Sequence, residues 1–324
     1  MTAFFANILI WIDSIVGNYG VALILFTLLF RLLVTPLDFR SRKSMRKMQL
    51  VQPKVTALQK KYANDQQKMN QKMSELYKKE GISPLSGCVP MLLSLPILWI
   101  MFAAMRQISN TELAKQAFVF LSGETPVYEP FLWIRNLWMP DSPFSVAAPS
   151  HMMLSAIPAD IWQTVYDGLS EVQLAALPEL AYDFSSSGYS ATVTAMYEYM
   201  SGLDVFTATQ AAVPGWANIN LLLTKVTIFR EWNGLYILPI LAAVTQFAMT
   251  KVTSAQQDEQ QQSGGMNAFM KWFFPIFSLW ICATSNAGFS AYWVVANVFA
   301  IAQTVIINKV LDHQDALKAE EQKA

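Results

Sequence analysis

Residues 272–308 read WFFPIFSLWICATSNAGFSAYWVVANVFAIAQTVIIN, and not one charged side chain interrupts them. As one regular helix the run would measure roughly 55 Å, at about 1.5 Å per residue. The hydrocarbon core of a bilayer is about 30 Å thick. The polar stretch Thr284-Ser285-Asn286-Ala287-Gly288 falls near the middle of the run. The run therefore reads as two membrane-spanning helices, 271–285 and 289–309, joined by a tight turn.

The same criterion finds three more spans. Ser14 to Leu37 contains a single charge, Arg31, whereas Gly81 to Met105 and Trp232 to Thr250 contain none. The expected spans are 17–38, 84–106 and 232–252. The fold class that follows is an all-α membrane protein with five transmembrane helices, a cytoplasmic helical hairpin and an extracytoplasmic helical insertion. Composition agrees. Of 324 residues 53% are hydrophobic and 14% charged, against roughly 25% charged in average soluble proteins. Mean hydropathy is +0.29. These values exclude a disordered or simple soluble chain. Net charge is zero and there are two cysteines, which excludes a disulfide framework.

Charge is unevenly spread between the spans. Residues 38–80 hold 12 Lys and Arg against Asp38, Asp65, Glu75 and Glu80. Residues 107–234 hold Lys115, Arg135, Lys225 and Arg230 against 12 acids. The positive-inside rule places the first segment in the cytoplasm. Five spans then put 107–231 outside, the N-terminus outside, and the loop 253–270 and tail 310–324 inside. The expected location is the plasma membrane. Residues 1–16 show no basic n-region and no small-residue cleavage site, so no signal peptide is read there. Phe4, Phe5, Ile8, Ile12 and Ile15 recur at helical spacing. An amphipathic helix on the outer membrane face fits this. An extension of the first span would bury Asp13.

Residues 39–62 and 66–80 read as an antiparallel helical hairpin within the 39–80 segment, turning at Ala63-Asn64-Asp65. Met45, Met48, Val55, Leu58 and Tyr62 recur along the first arm, and Met69, Met73 and Leu76 along the second. Gly81 and then Pro84 end the second arm. The outer face is basic, with Arg40, Arg42, Lys43, Arg46, Lys47, Lys60 and Lys61. Such a face serves as a topology signal. It also attracts anionic lipid headgroups, at about 1 kcal/mol per basic residue near the surface. Ribosomal RNA is a further partner of that chemistry, and the residues do not choose between them.

Arg31 is the most informative single residue. It lies about 10 Å inside the cytoplasmic surface if the helix is regular. An arginine at a span centre costs roughly 2.5–3.5 kcal/mol on insertion scales. It either snorkels to the interface or lines a wet cavity. Thr27, Arg31 and Thr35 share one helix face. Gln246 and Thr250 share a face of the third span. Ser278, Cys282 and Ser285 share one of the fourth, and Ser290, Trp293, Asn297 and Thr304 one of the fifth. Each stripe alone reads as helix–helix contact. Four stripes with an arginine, and no acid inside any span, read as a hydrated, positively charged groove open to the cytoplasm.

Catalytic and cofactor motifs are missing from the sequence. No GxxxxGK[ST], G-x-S-x-G, H-E-x-x-H or C-x-x-C occurs. His151 and His313 fall on opposite sides of the membrane under this topology, so they cannot share a metal. Cys88 and Cys282 sit inside spans as packing residues. No enzyme chemistry, metal or cofactor is expected.

Ordered motifs connect these features. They are Asn18-Tyr19-Gly20, Phe30-Arg31-Leu32-Leu33, Pro36-Leu37, Ser44-Met45-Arg46, Gln52-Pro53, Lys61-Tyr62 and Gln67-Lys68-Met69. They continue with Leu76 to Gly81, Ser83 to Pro90, Phe131-Leu132-Trp133-Ile134, Pro140-Asp141, Tyr236 to Leu241, and Tyr292 to Val295 with Asn297. Over 1–144 and 232–311 the chain resembles the YidC/Oxa/Alb membrane protein insertases, in the five-span form found in Gram-positive bacteria. The resemblance implies energy-independent insertion of nascent membrane proteins. It implies that Arg31 is the groove arginine and that Thr27, Gln246 and Trp293 line the groove or touch substrate. It also suggests the Sec translocon and the ribosome as partners. A transporter or channel for an anionic solute is the rival reading; it predicts an internal repeat or broken helices, and no repeat is found. A structural scaffold, which would tolerate loss of the charge at 31, is a third.

Three features depart from the family pattern. The turn before the last span is Asn286-Ala287-Gly288, where a Pro-Ala-Gly turn is usual. The tail sets Lys318 and Lys323 against Asp312, Asp315, Glu320 and Glu321, which disfavours ribosome binding by the tail. Residues 145–231 are an acidic, aromatic insertion, read as a small extracytoplasmic helical cap on the membrane surface. One helix is expected from Pro158-Ala159-Asp160-Ile161-Trp162 and another over Ser190 to Leu203. Such a cap is either structural or docks a partner.

Overall fold

In a computed structural model, residues 2–81, 89–221, 224–254 and 264–321 are described. Residues 83–88 of the Ser83 to Pro90 motif, with Pro84 and Cys88, lie outside the described residues. So do residues 255–263 of the expected loop 253–270.

Helices dominate. In chain order they are α1 (Thr2–Val16), α2 (Tyr19–Lys61), α3 (Gln66–Glu80), α4 (Val89–Leu121), α5 (His151–Ser155), α6 (Ala159–Asp167), α7 (Glu171–Ala175), α8 (Tyr189–Ser201), α9 (Asp204–Thr207), α10 (Ile237–Ser254), α11 (Gly264–Thr284) and α12 (Ala287–Glu321). Two short antiparallel strands, β1 (Ile219–Leu221) and β2 (Thr224–Val226), pair within the insertion. The insertion is therefore not purely helical. Among the described residues two helices, α2 and the stretch Ala287–Leu317 of α12, are long and apolar enough to cross a membrane.

The chain forms two compact units. One comprises Met1–Phe26, Ile100–Ala242 and Phe277–Val294; the other comprises Thr27–Trp99, Ala243–Ile276 and Val295–Ala324.

The first unit is organised around residues 129–147. Asp141 is fully buried. Its Oδ1 accepts the backbone N–H groups of Leu235 (2.7 Å) and Tyr236 (3.1 Å) and the indole N–H of Trp133 (3.2 Å). Its Oδ2 accepts the N–H of Leu238 at 2.7 Å. A remote carboxylate thus caps α10, whose first-turn N–H groups have no partner within the helix. The cap also holds Tyr236 at φ +66°, a left-handed conformation that costs a bulky residue about 1–2 kcal/mol.

Around it, the Asn136 amide donates to Gln116 Oε1 (2.9 Å) and to the carbonyl of Ala147 (2.7 Å). Asn233 donates to the carbonyls of Asn136 (3.0 Å) and Pro140 (2.8 Å). The turn between α11 and α12 docks on the same segment: the N–H of Ala287 meets the carbonyl of Met139 (2.9 Å) and that of Gly288 the carbonyl of Leu137 (3.0 Å). Asn286, standing where the family has Pro, caps α12 by accepting the Phe289 N–H at 2.8 Å. At the start of α2, the Tyr19 N–H donates to Glu129 (3.0 Å) and Asn18 donates to the Pro130 carbonyl (3.2 Å). A Cβ on Gly20 would lie 2.0 Å from the Phe131 ring, so only glycine admits that ring.

Helix α1 buries Ala6, Leu9 and Ile12 and exposes Phe4, Trp11 and Ile15. Helix α4 runs well beyond the expected span end at 106. It buries Ile108, Leu113, Ala114, Ala117, Phe118, Phe120 and Leu121. The insertion packs on this extension: Trp162 lies edge-on to Phe118 at 5.6 Å and stacks on Phe184 at 5.8 Å. The expected helices at 158 and 190 appear as α6 and α8.

In the second unit, α2 and α3 form the hairpin. Val51 and Val55 are its buried core, packed by Met48, Met73, Leu76 and Tyr77. Asp65 caps α3 by accepting the Lys68 N–H at 3.0 Å. Gly81 ends it at φ +63°.

Two predictions follow from the first unit. Asp141→Ala strands several buried N–H groups and should cost about 3 kcal/mol or more; a thermal midpoint in detergent within 1 °C of wild type would contradict this account of the cap. Burial, with Glu112 close by, raises the Asp13 carboxyl above its usual 3.8. Burial likewise raises Glu129 above 4.5, opposed by the Tyr19 N–H. A raised carboxyl contributes stability below its unfolded value and loses it as pH rises through the folded value. Asp13→Asn should therefore raise the midpoint at about pH 7 by about 2 °C and leave it nearly unchanged at about pH 4.

Candidate functional site

Helix α2 carries Arg31, Thr35, Asp38, Arg42 and Arg46 at steps of three and four, so they share one face. Helix α12 answers most of this stripe within the second unit. The Gln303 amide, 8% exposed, donates to Thr35 Oγ1 at 3.1 Å and to Asp38 Oδ2 at 3.0 Å. Arg42 donates to Thr304 Oγ1 at 2.6 Å. Burial pulls the Arg42 guanidinium below the ordinary arginine value, and Asp38 opposes that pull. Arg46 pairs with Asp312 at 2.6 Å and Asp315 at 2.8 Å.

Arg31 differs from these residues. It is half-buried. Its guanidinium has no hydrogen-bond or ion-pair partner among the described residues, whereas its carbonyl accepts the Thr35 hydroxyl at 2.9 Å. Thr27, one turn earlier, is buried.

Helix α10 joins α12 through Asn297, whose amide donates to Gln246 Oε1 at 3.2 Å and Thr245 Oγ1 at 3.3 Å. The expected groove residues Gln246 and Asn297 thus bridge two helices. Trp293 belongs to the first unit, where it packs against Phe289 with ring centroids 5.6 Å apart. Its indole N–H is buried without a partner among the described residues.

The hairpin's basic residues divide into two sets. Arg42 and Arg46 turn toward α12, whereas Arg40, Lys43, Lys47, Lys60 and Lys61 are exposed. Lys61 lies over the Tyr62 ring at 5.6 Å. Gln303 and the tail acids were missed by sequence reasoning. Thr304 was on the expected stripe, and its neighbour Gln303 is the residue that could have been found from it. No group of three or more metal-ligating side chains occurs among the described residues.

The geometry can hold α2, α10 and α12 together by polar contacts while one guanidinium stays available to an anion. Arg31→Gln should therefore leave thermal stability within about 0.5 kcal/mol of wild type. Asn297→Ala removes an interhelical hydrogen bond and should cost about 0.6 kcal/mol. The reverse order of the two losses would mean that Arg31 is a packing residue.

The comparisons agree on one family. A family model described as 60Kd inner membrane protein matches residues 11–314. The membrane protein insertase YidC of Francisella tularensis subsp. novicida is 39% identical over 148 residues, 44% of this chain and 24% of that protein. The membrane protein insertase YidC of Francisella philomiragia subsp. philomiragia is 37% identical over 173 residues, 50% of this chain and 29% of that protein. The chain thus spans about a quarter of the length of the curated relatives it matches.

Proposed function

The chain belongs to the 60Kd inner membrane protein family, the YidC/Oxa/Alb group, and from that premise we propose that it is a membrane protein insertase and chaperone. It receives nascent hydrophobic segments and integrates them into the plasma membrane. The match over residues 11–314, together with a half-buried arginine free of any partner among the described residues, supports this reading.

In the proposed topology five helices span the bilayer, the N-terminus is outside and the C-terminus inside. Arg31, Thr27, Gln246 and Asn297 face a hydrated groove, and Trp293 touches substrate. A charge in such a place needs water or a counter-charge. A substrate carboxylate supplies one, so the acidic flank of a nascent segment is drawn partway across the inner leaflet. The apolar segment then leaves the groove for lipid. Its burial, at about 25 cal/mol per Å² of apolar surface, drives the step without ATP. The exposed basic residues Arg40, Lys43, Lys47, Lys60 and Lys61 meet anionic headgroups at the groove mouth. The Sec translocon and the ribosome are candidate partners, and the acidic insertion faces the exterior.

The test uses purified protein in anionic liposomes, with a single-span substrate bearing an acidic outer tail synthesised in their presence. Protease protection of the tail should exceed that of empty liposomes, persist with Arg31→Lys and fall about tenfold with Arg31→Ala, the loss of a charged contact worth roughly 1.4 kcal/mol. Protection no higher than with empty liposomes overturns the insertase reading. Full protection with Arg31→Ala removes the charge from the mechanism and leaves the insertase.

A further inference from the structure

The acidic tail has a partner that its sequence does not suggest. Arg46 lies on the first arm of the hairpin, two turns past the last span residue expected there. Its Nη2 reaches Asp312 Oδ1 at 2.6 Å and its Nε reaches Asp315 Oδ2 at 2.8 Å. The two acids are one turn apart on α12, so a single planar fork engages two carboxylates, each by a charge-assisted hydrogen bond. The other two ion pairs of the hairpin, Lys54–Glu80 and Lys72–Glu75, are internal to it. Among the described residues, Arg46 is thus the one hairpin cation ion-paired to the tail. Just before the pair α12 buries Ile307 and Leu311, and just after it Leu317 is 47% exposed. Apolar packing gives out where the ion pairs stand.

We propose that Arg46, Asp312 and Asp315 form a latch that fastens the base of the basic hairpin to the end of α12, and that ionic strength opens it. The side chains are 31%, 65% and 47% exposed, so mobile ions screen the contact. Closed, the latch occupies Arg46 with the chain's own carboxylates and withholds it from other anions. Open, it adds Arg46 to the neighbouring exposed cations Lys43 and Lys47. The tail acids are intramolecular competitors for the hairpin base. This inference does not rest on the insertase reading, and its test reads no insertion.

The experiment is hydrogen exchange of backbone amides 309–317 in the full chain in detergent, at low salt and at about 0.5 M salt. Arg46→Gln should accelerate exchange about fivefold at low salt, the loss of a weak exposed network. Asp312→Asn with Asp315→Asn should do the same, and combining all three should add little more. High salt should bring wild type to the variants' rate. Unaltered exchange in both variants at low salt, or effects that add in full, overturns the latch. Amides 295–305 report on the fold. If a variant disturbs them, wild type alone decides: salt-dependent exchange confined to 309–317 supports the latch, and salt-independent exchange there overturns it.

Discussion

The buried carboxylate of Asp141 is the constraint on which the first unit depends. An isolated charge with no exposure would cost several kcal/mol. Here three backbone N–H groups and an indole N–H converge on it. Those donors need the acceptor equally, because the first turn of α10 offers them none. Gly234 completes the fit: a Cβ there would sit 2.0 Å from Asp141 Oδ1. Once Asp141 is placed, residues 129–147 are fixed, and with them the start of α2, the side of α4 and the turn before α12. Four segments distant in sequence, the starts of α2 and α10, the side of α4 and the turn before α12, are held by one irregular strap.

The second unit solves a related problem by pairing side chains across helices. A polar group in an apolar surrounding is tolerated when another helix supplies its partner. Gln303 serves both Thr35 and Asp38, Thr304 serves Arg42, and Asn297 joins Gln246 and Thr245. Against this pattern of satisfied partners, Arg31 stands out by the lack of one among the described residues. Desolvating a guanidinium without a counter-charge is expensive. The proposed function gives it one, in water or the carboxylate of a passing substrate.

Much of this was legible in the sequence because the signals are local. The turn within 284–288, the break at Ala63-Asn64-Asp65 and the end at Gly81 follow from residue types with strong local preferences, and the helices expected from 158 and 190 begin within a residue of those positions. What was not legible depends on tertiary partners. The hairpin core uses Val51, which is not among the apolar residues read along the first arm, while Leu58 near the tip is only half-buried. Helix α4 continues past Arg106 because its apolar face finds the insertion to pack on; Arg106 is exposed and Glu112 is half-buried beside Lys115, so neither charge marks an end. Strands β1 and β2 flank Leu222-Leu223, which carries none of the Gly, Asn or Asp turn chemistry that would announce a hairpin. The tail acids read only as disfavouring ribosome binding, because nothing local points to Arg46 as their partner.

The insertion shows how a large segment is added without disturbing such a strap. Val146 and Trp232 pair as an isolated β-bridge, and the Asn233 N–H donates to the carbonyl of Ser145 at 2.8 Å. The two ends of 145–231 therefore leave and return at one point. The entropy of closing a loop grows only slowly with its length, by about 0.6 kcal/mol per doubling, so a longer excursion from a closed stem costs little. The excursion also has a core of its own: Trp162, Phe184, Tyr166 and Tyr182 pack together and onto Phe118 of α4. Asp141 and Asn233 lie beneath the stem, where their bonds go to the strap and to α10. The acidic surface of the insertion is thus free to vary while the strap that positions α10 and α12 stays the same.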